Sequence, residues 1–271
     1  MSVTVQRDDF LSGQSGHVAG IRATTRAVAA DLLGDAAVWA RLRPPRLRRA
    51  AARWPRRRVL VLAVERPQAN LWAHARRELM SSHHDVRIAA TPMRDRGKFE
   101  NLNALIAEHP VEAHDWLVTV DDDVALPAGF LDAFIFLAER FGFRLAQPAH
   151  RARSHAAWPV TRRRPWCVAR ATRFVEIGPV TAFQAATFET LLPFPELRVG
   201  WGLDLHWSAL AREHRWPIGV IDATPIAHAL RPVGTTYDST DAIREARSFL
   251  AGRPYTTASD AGATVAEHRR W

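Results

Sequence analysis

Three features of the sequence predict an α/β fold with a mainly parallel central sheet, flanking helices and an N-terminal helical extension. Short, unbroken apolar runs rich in Val and Leu lie at 59–64 and 117–120, as expected of strands buried on both faces. Segments with apolar residues at helical spacing fall between them, so strand, helix, strand, helix and strand succeed one another in about sixty residues, the βαβ pattern of a parallel sheet. The run at 117–120 then stops abruptly at Asp121, Asp122 and Asp123, which puts charge at the end of a buried strand. Open α/β sheets bind their ligands there.

Residues 1–55 are rich in Ala and Arg, with helical spacing across 19–40, and predict one or two amphipathic helices followed by a basic linker over 41–58. Such an arm suits a solvated helix packed on the domain, an anionic membrane surface or nucleic acid. Leucines and tryptophans among its arginines keep the membrane in view, and no nucleic-acid motif is present. The main domain spans 56–240. Its strand at 59–64 leads to a helix at 70–82 carrying Leu71, Trp72, Ala75 and Leu79, a strand at 85–90, and a helix at 101–109 closed by Pro110. After the acidic strand come a helix at 131–141, a strand at 143–148 and an irregular stretch, 150–164, that fits either a lid or a surface excursion. A helix at 182–191 ended by Pro193 and Pro195, another running to His214, and a strand at 216–222 complete the domain. Residues 241–271 predict a helix at 242–251 and a tail that is loose or folds over the site.

At 271 residues and 47% hydrophobic content the chain can bury one substantial core. No apolar run approaches a bilayer-spanning length, and the first ten residues lack the basic start and apolar core of a secretory signal, so the cytoplasm is the expected location. Cys167 is the sole cysteine, which excludes an intrachain disulfide or a cysteine-based zinc site. The net charge of +9 comes almost wholly from arginine, Lys98 being the single lysine, and favours an anionic partner.

Three adjacent carboxylates repel one another unless a cation offsets them, and a hard divalent ion with oxygen ligands is the obvious one. On an extended strand Asp121 and Asp123 share one side and Asp122 takes the other. Gly97 and several cations precede a helix, a weak anion-site signal. Asp204 follows Gly200, Trp201 and Gly202 at a helix start, where it serves either as a cap or in chemistry; a helix N-terminus is expected to lower its pKa and weaken it as a base. His228 lies beyond the last strand, with Arg231 close behind.

The segment LVTVDDDVALP at 117–127, with the helix start after it, resembles the Asp-x-Asp strand of GT-A nucleotide-sugar glycosyltransferases, especially the family-two group. The Gly-Lys-x-x-x-Leu-Asn segment at 97–103 is similar to one that precedes that strand in those enzymes. The WGLD, GVID and His-x-Leu-x-Pro-x-Gly segments within 176–234 resemble a less studied glycosyltransferase-like family of plants and bacteria. The likeness covers roughly 57–238 and implies a GT-A fold and a metal-dependent, inverting sugar transfer from a nucleotide-diphosphate donor to an acceptor hydroxyl. By that resemblance Asp121, Asp123 and His228 hold Mn²⁺ or Mg²⁺. Glu65, Asp95, Lys98, Asn103, Asp121, Asp122 and Arg231 shape the donor site, Asp204 is the base, and Glu176, Trp201 and His206 meet the acceptor. Competing readings are a metal-dependent phosphohydrolase or nucleotidyltransferase, since paired Asp at a strand end also serves two-metal chemistry, and a non-catalytic GT-A-like binding module.

Overall fold

The computed structural model describes residues 8–14, 16–40, 43–68, 70–231 and 238–271. Helices α1 (Ile21–Ala40) and α2 (Arg43–Ala51) precede strand β1 (Arg58–Glu65). Then follow α3 (Trp72–Met80), β2 (Asp85–Pro92), α4 (Lys98–Glu108), β3 (Trp116–Asp121) and the short β4 (Val124–Ala125). Next come α5 (Phe130–Arg140), β5 (Leu145–His150), β6 (Ala169–Thr172), β7 (Val180–Gln184) and α6 (Phe188–Leu191). The chain ends with α7 (Leu203–Glu213), β8 (Ile218–His228), α8 (Ser239–Leu250), α9 (Ala258–Ala261) and β9 (Thr264–His268).

The sheet runs β2-β1-β3-β7-β5-β8-β6-β9, with β4 pairing β8 to one side. Parallel pairing joins β2 to β1, β1 to β3 and β5 to β8, while β7 and β6 run against their neighbours. Six of these eight strands therefore point the same way, as a mainly parallel sheet requires. Alternation along β1 divides the core. Leu60, Leu62 and Val64 face α4 and α7, and Val59, Val61 and Ala63 face α2, α3 and α5.

Several elements depart from the sequence expectation. The basic linker is helical in part: Leu47 and Ala51 of α2 enter the same core as Trp72 and Phe134. The helix expected at 182–191 is replaced by β7 and the single turn of α6, because a segment between β3 and β5 finds hydrogen-bonding partners on both sides. The last core strand continues past Asp222 to His228. The C-terminal tail does not cover the acidic strand end; it returns as β9 along β6 at the sheet edge.

Candidate functional site

The strand directions build the site. The C-terminal ends of β1, β3, β5 and β8 lie at one edge of the sheet, and β7 starts from it, so Asp121–Asp123, His150, His228 and the 176–179 segment gather there. Strand β3 ends at Asp121, and the next two aspartates belong to a turn, which overrides the expected alternation. Asp121 pairs with Lys98 Nζ at 2.7 Å. Asp122 and Asp123, expected on opposite sides, instead share the Arg231 guanidinium.

Asp122 is fully buried, also accepting the Arg66 backbone N–H at 2.7 Å and its guanidinium at 3.3 Å. Its side chain is enclosed and anchors the chain leaving β1. Asp123 meets Arg231 Nε at 3.1 Å and His228 Nε2 at 3.2 Å. Burial alone would push its carboxyl up, but His228 and Arg231 beside it hold it at about 2. For His228 burial works downward, yet Asp123 and then Asp121 leave its pKa raised.

Asp204 sits in the first turn of α7, almost fully buried, and its carboxyl accepts the Leu205 N–H at 2.9 Å. Its pKa moves opposite to the helix-terminus expectation. Burial, then the negative charge of Glu176, push it up to about 7 against the backbone N–H groups of Leu205 and Ile177. Glu176 is held by His150 Nε2 at 2.8 Å. Ile177 links the two centres, since its carbonyl accepts from Lys98 Nζ at 3.0 Å while its N–H supports Asp204. Gly178 makes the approach possible: a Cβ there would lie 2.8 Å from Lys98 Nζ and 3.0 Å from Asp121 Oδ2. The loop before Asp204 is fixed as tightly, for Gly200 lies at φ 90° with the Phe99 ring against it.

The other residues expected at the site each have their own surroundings. Asn103 brackets the Phe194 backbone with bonds of 2.8 and 2.9 Å, so its amide is spent on a loop and not on a donor pocket. His206 turns toward Pro254 O at 2.7 Å, because two steps along a helix point it away from Asp204. Glu65 lines a cavity of about 610 Å³ between α3 and the sheet with Trp72, Arg76 and Arg77, on the face opposite Asp121. Asp95 is exposed in the loop before α4. Trp201 is half-buried against the core beside α7. Pro232 and Gly234 of the His-x-Leu-x-Pro-x-Gly pattern, like residues 1–7 and the Arg41–Leu42 step, fall outside the described residues. His150 and Gln147, which accepts the Glu176 N–H, had no role in the sequence reading; their link to residue 176 is long-range and leaves no local signal.

Asp121, Asp123 and His228 do not bring three ligand atoms within 4.8 Å of one another; among the described residues the group that does is His83, His84 and Asp132, between α3 and α5. Asp123 and His228 nonetheless fit a divalent cation. Asp123 Oδ1 is buried without a well-aligned hydrogen bond, and a carboxylate oxygen beside an imidazole is a ligand set that a divalent cation can use when further oxygen ligands complete its shell.

The described chain is thus an α/β protein with a cation-bordered acidic cluster and a buried acid of raised pKa at one sheet edge. No protein-family model and no curated protein sequence matches it. Among solved structures it is similar to GalNAc-T7 with UDP, GalNAc and Mn²⁺, at 8% identity and TM-score 0.49, over 66% of this chain and 45% of that one. It is also similar to A197 from STIV, at 12% identity and TM-score 0.45, over 64% and 86% of the two chains. A mycobacterial protein follows at 16% identity and TM-score 0.45, over 78% and 79%. The chain spans less than half of GalNAc-T7, the figure being 45%.

Proposed function

We propose that this chain is a GT-A-type glycosyltransferase that moves a sugar from a nucleotide-diphosphate donor to an acceptor hydroxyl, with inversion at the anomeric carbon. The arrangement around Ile177 carries the reading. One residue touches both the lysine paired to the acidic strand end and an acid whose pKa of about 7 suits a general base.

In this reading Lys98 and Arg231 present positive charge to the diphosphate, and Asp121 orients the nucleotide. A divalent ion held by Asp123 and His228 would supply Lewis-acid stabilisation of the departing diphosphate. Asp204 takes the acceptor proton as the acceptor oxygen bonds to the anomeric carbon; the sugar–phosphate C–O bond breaks and its electron pair leaves with the diphosphate. Glu176, fixed by His150, keeps Asp204 basic enough for the task. Acceptor contacts are assigned to the Glu176 and Trp201 side. Two-metal hydrolysis fits less well, because Asp122 is engaged by Arg66 and Arg231, and Asp121 by Lys98.

The test is calorimetric titration of the common nucleoside diphosphates with and without Mn²⁺, on wild type and Asp123→Ala. Metal-dependent binding of one nucleotide, lost in the variant, is expected. Absence of metal-dependent binding for all of them removes the proposal.

A further inference from the structure

Helix α1 is built inside out. Its two carboxylates face the protein: Asp31 accepts the N–H groups of Ala152 and Arg153 at 2.8 and 3.2 Å, and Asp35 pairs with Arg151 and Arg163 at 2.7 and 2.6 Å. Gly34 lets the helix settle on Pro165, whose ring would stand 3.2 Å from a Cβ at that position. The large apolar side chains are left outside, with Ile21 87% exposed, Leu32 65%, Leu33 73% and Trp39 52%. An ordinary surface helix does the reverse.

The outward residues form a stripe. Ile21, Thr25, Leu32, Ala36 and Trp39 lie on one face with the half-buried Val28 at its edge, spaced at steps of three and four, and the exposed Ala29 and Leu33 lie alongside. Positive charge accompanies the stripe. Arg22 and Arg26 flank it on α1, Arg46, Arg48, Arg49, Arg53 and Arg56 on and after the adjoining α2 are exposed, and Asp31 and Asp35 are the only acids between residues 21 and 58. Trp166, 49% exposed, joins the same corner, where the Arg43 guanidinium donates to the carbonyls of Pro165 and Trp166.

We infer that α1 is a docking face for an anionic lipid bilayer, lying flat in the headgroup region with Ile21, Leu32, Leu33 and Trp39 inserted and the arginines of α1 and α2 over the lipid phosphates. Charge complementarity selects this occupant. A second copy of the chain would bring two arginine-bordered faces together, and nucleic acid would leave the leucine and tryptophan surface wet. No described helix is long and apolar enough to cross a membrane, so the contact is interfacial. The inference does not depend on the transferase reading.

Flotation with vesicles tests it, using phosphatidylcholine alone and phosphatidylcholine with roughly one third phosphatidylglycerol. Wild type is expected to float only with the anionic vesicles, less so as salt rises, and Leu32→Glu/Leu33→Glu to bind about tenfold more weakly or worse. Both side chains are exposed, so the variant should keep the wild-type unfolding midpoint. A second variant, Leu33→Cys carrying a polarity-sensitive dye, reports insertion directly, because the remaining Cys167 is buried. Its emission should shift to the blue with anionic vesicles and stay unchanged with neutral ones. The inference is overturned if wild type stays unbound, if the glutamate variant binds equally, if the dye does not shift, or if light scattering shows a dimer that the glutamate variant disperses.

Discussion

Replacing Asp204 with asparagine should separate stability from activity. A carboxyl with pKa 3.8 in the unfolded chain and about 7 in the fold binds its proton more tightly when folded, so it destabilises the protein as pH rises between those values. Its contribution is fully present below about pH 3.8, is lost through about pH 7 and is flat above that. The whole interval corresponds to about 4 kcal/mol, of which about 2.5 kcal/mol falls between about pH 5 and about pH 8. Asparagine keeps the size and acceptor oxygen of the side chain and removes the titration. Urea unfolding of both proteins at those two pH values should therefore show stability shifting in favour of Asp204→Asn by about 2.5 kcal/mol at the higher pH. Sugar transfer should fall by about a hundredfold or more while nucleotide binding persists, and the wild-type rate should climb with pH through about 7. A stability gap that does not change with pH would refute the electrostatic reasoning, and full activity in the variant would refute the role of Asp204 as base.

Three further outcomes follow from particular contacts. Glu245 of α8 accepts the backbone N–H groups of Arg198, Val199 and Gly200 at 2.7, 3.0 and 2.8 Å and so fixes the loop leading into Asp204. Glu245→Ala should lower kcat about tenfold with nucleotide affinity kept and faster amide exchange at 198–204, and partial rescue by Gln would mark it as a positioning residue. Gly178→Ala pushes a methyl group between Lys98 and Asp121, and titration should show nucleotide affinity about tenfold weaker. Arg170 and Asp222 form a fully buried two-point ion pair, so Arg170→Ala strands a carboxyl and should cost about 3–5 kcal/mol in urea unfolding.

The parallel half of the fold was legible because β1 and β3 are buried on both faces and say so in unbroken apolar runs. Strand β7 was hidden by the helix-like composition of 182–187; the pairing that makes it a strand comes from β3 and β5, far away in the chain. Strand β9 is mostly exposed and carries no apolar pattern, existing because β6 offers an edge. At the site, the aspartate triplet stood out in the sequence, but its geometry depended on β3 ending at Asp121, two residues short of Asp123. The helix-terminus rule gave the wrong sign for Asp204 because burial and Glu176, contacts from another part of the chain, outweigh the local N–H groups. Asn103 and His206 sat in suggestive segments and are engaged by Phe194 and Pro254.

The central claim is that the end of β3 and the start of α7 form one donor–acceptor site. Crystals soaked with Mn²⁺ and the nucleoside diphosphate found by titration test it most directly through the anomalous signal of the metal. The account predicts a peak beside Asp123 and His228, with the diphosphate on Arg231 and Lys98 and the open side of the site facing Asp204. A peak confined to His83, His84 and Asp132, or a nucleotide bound away from Asp123, contradicts it.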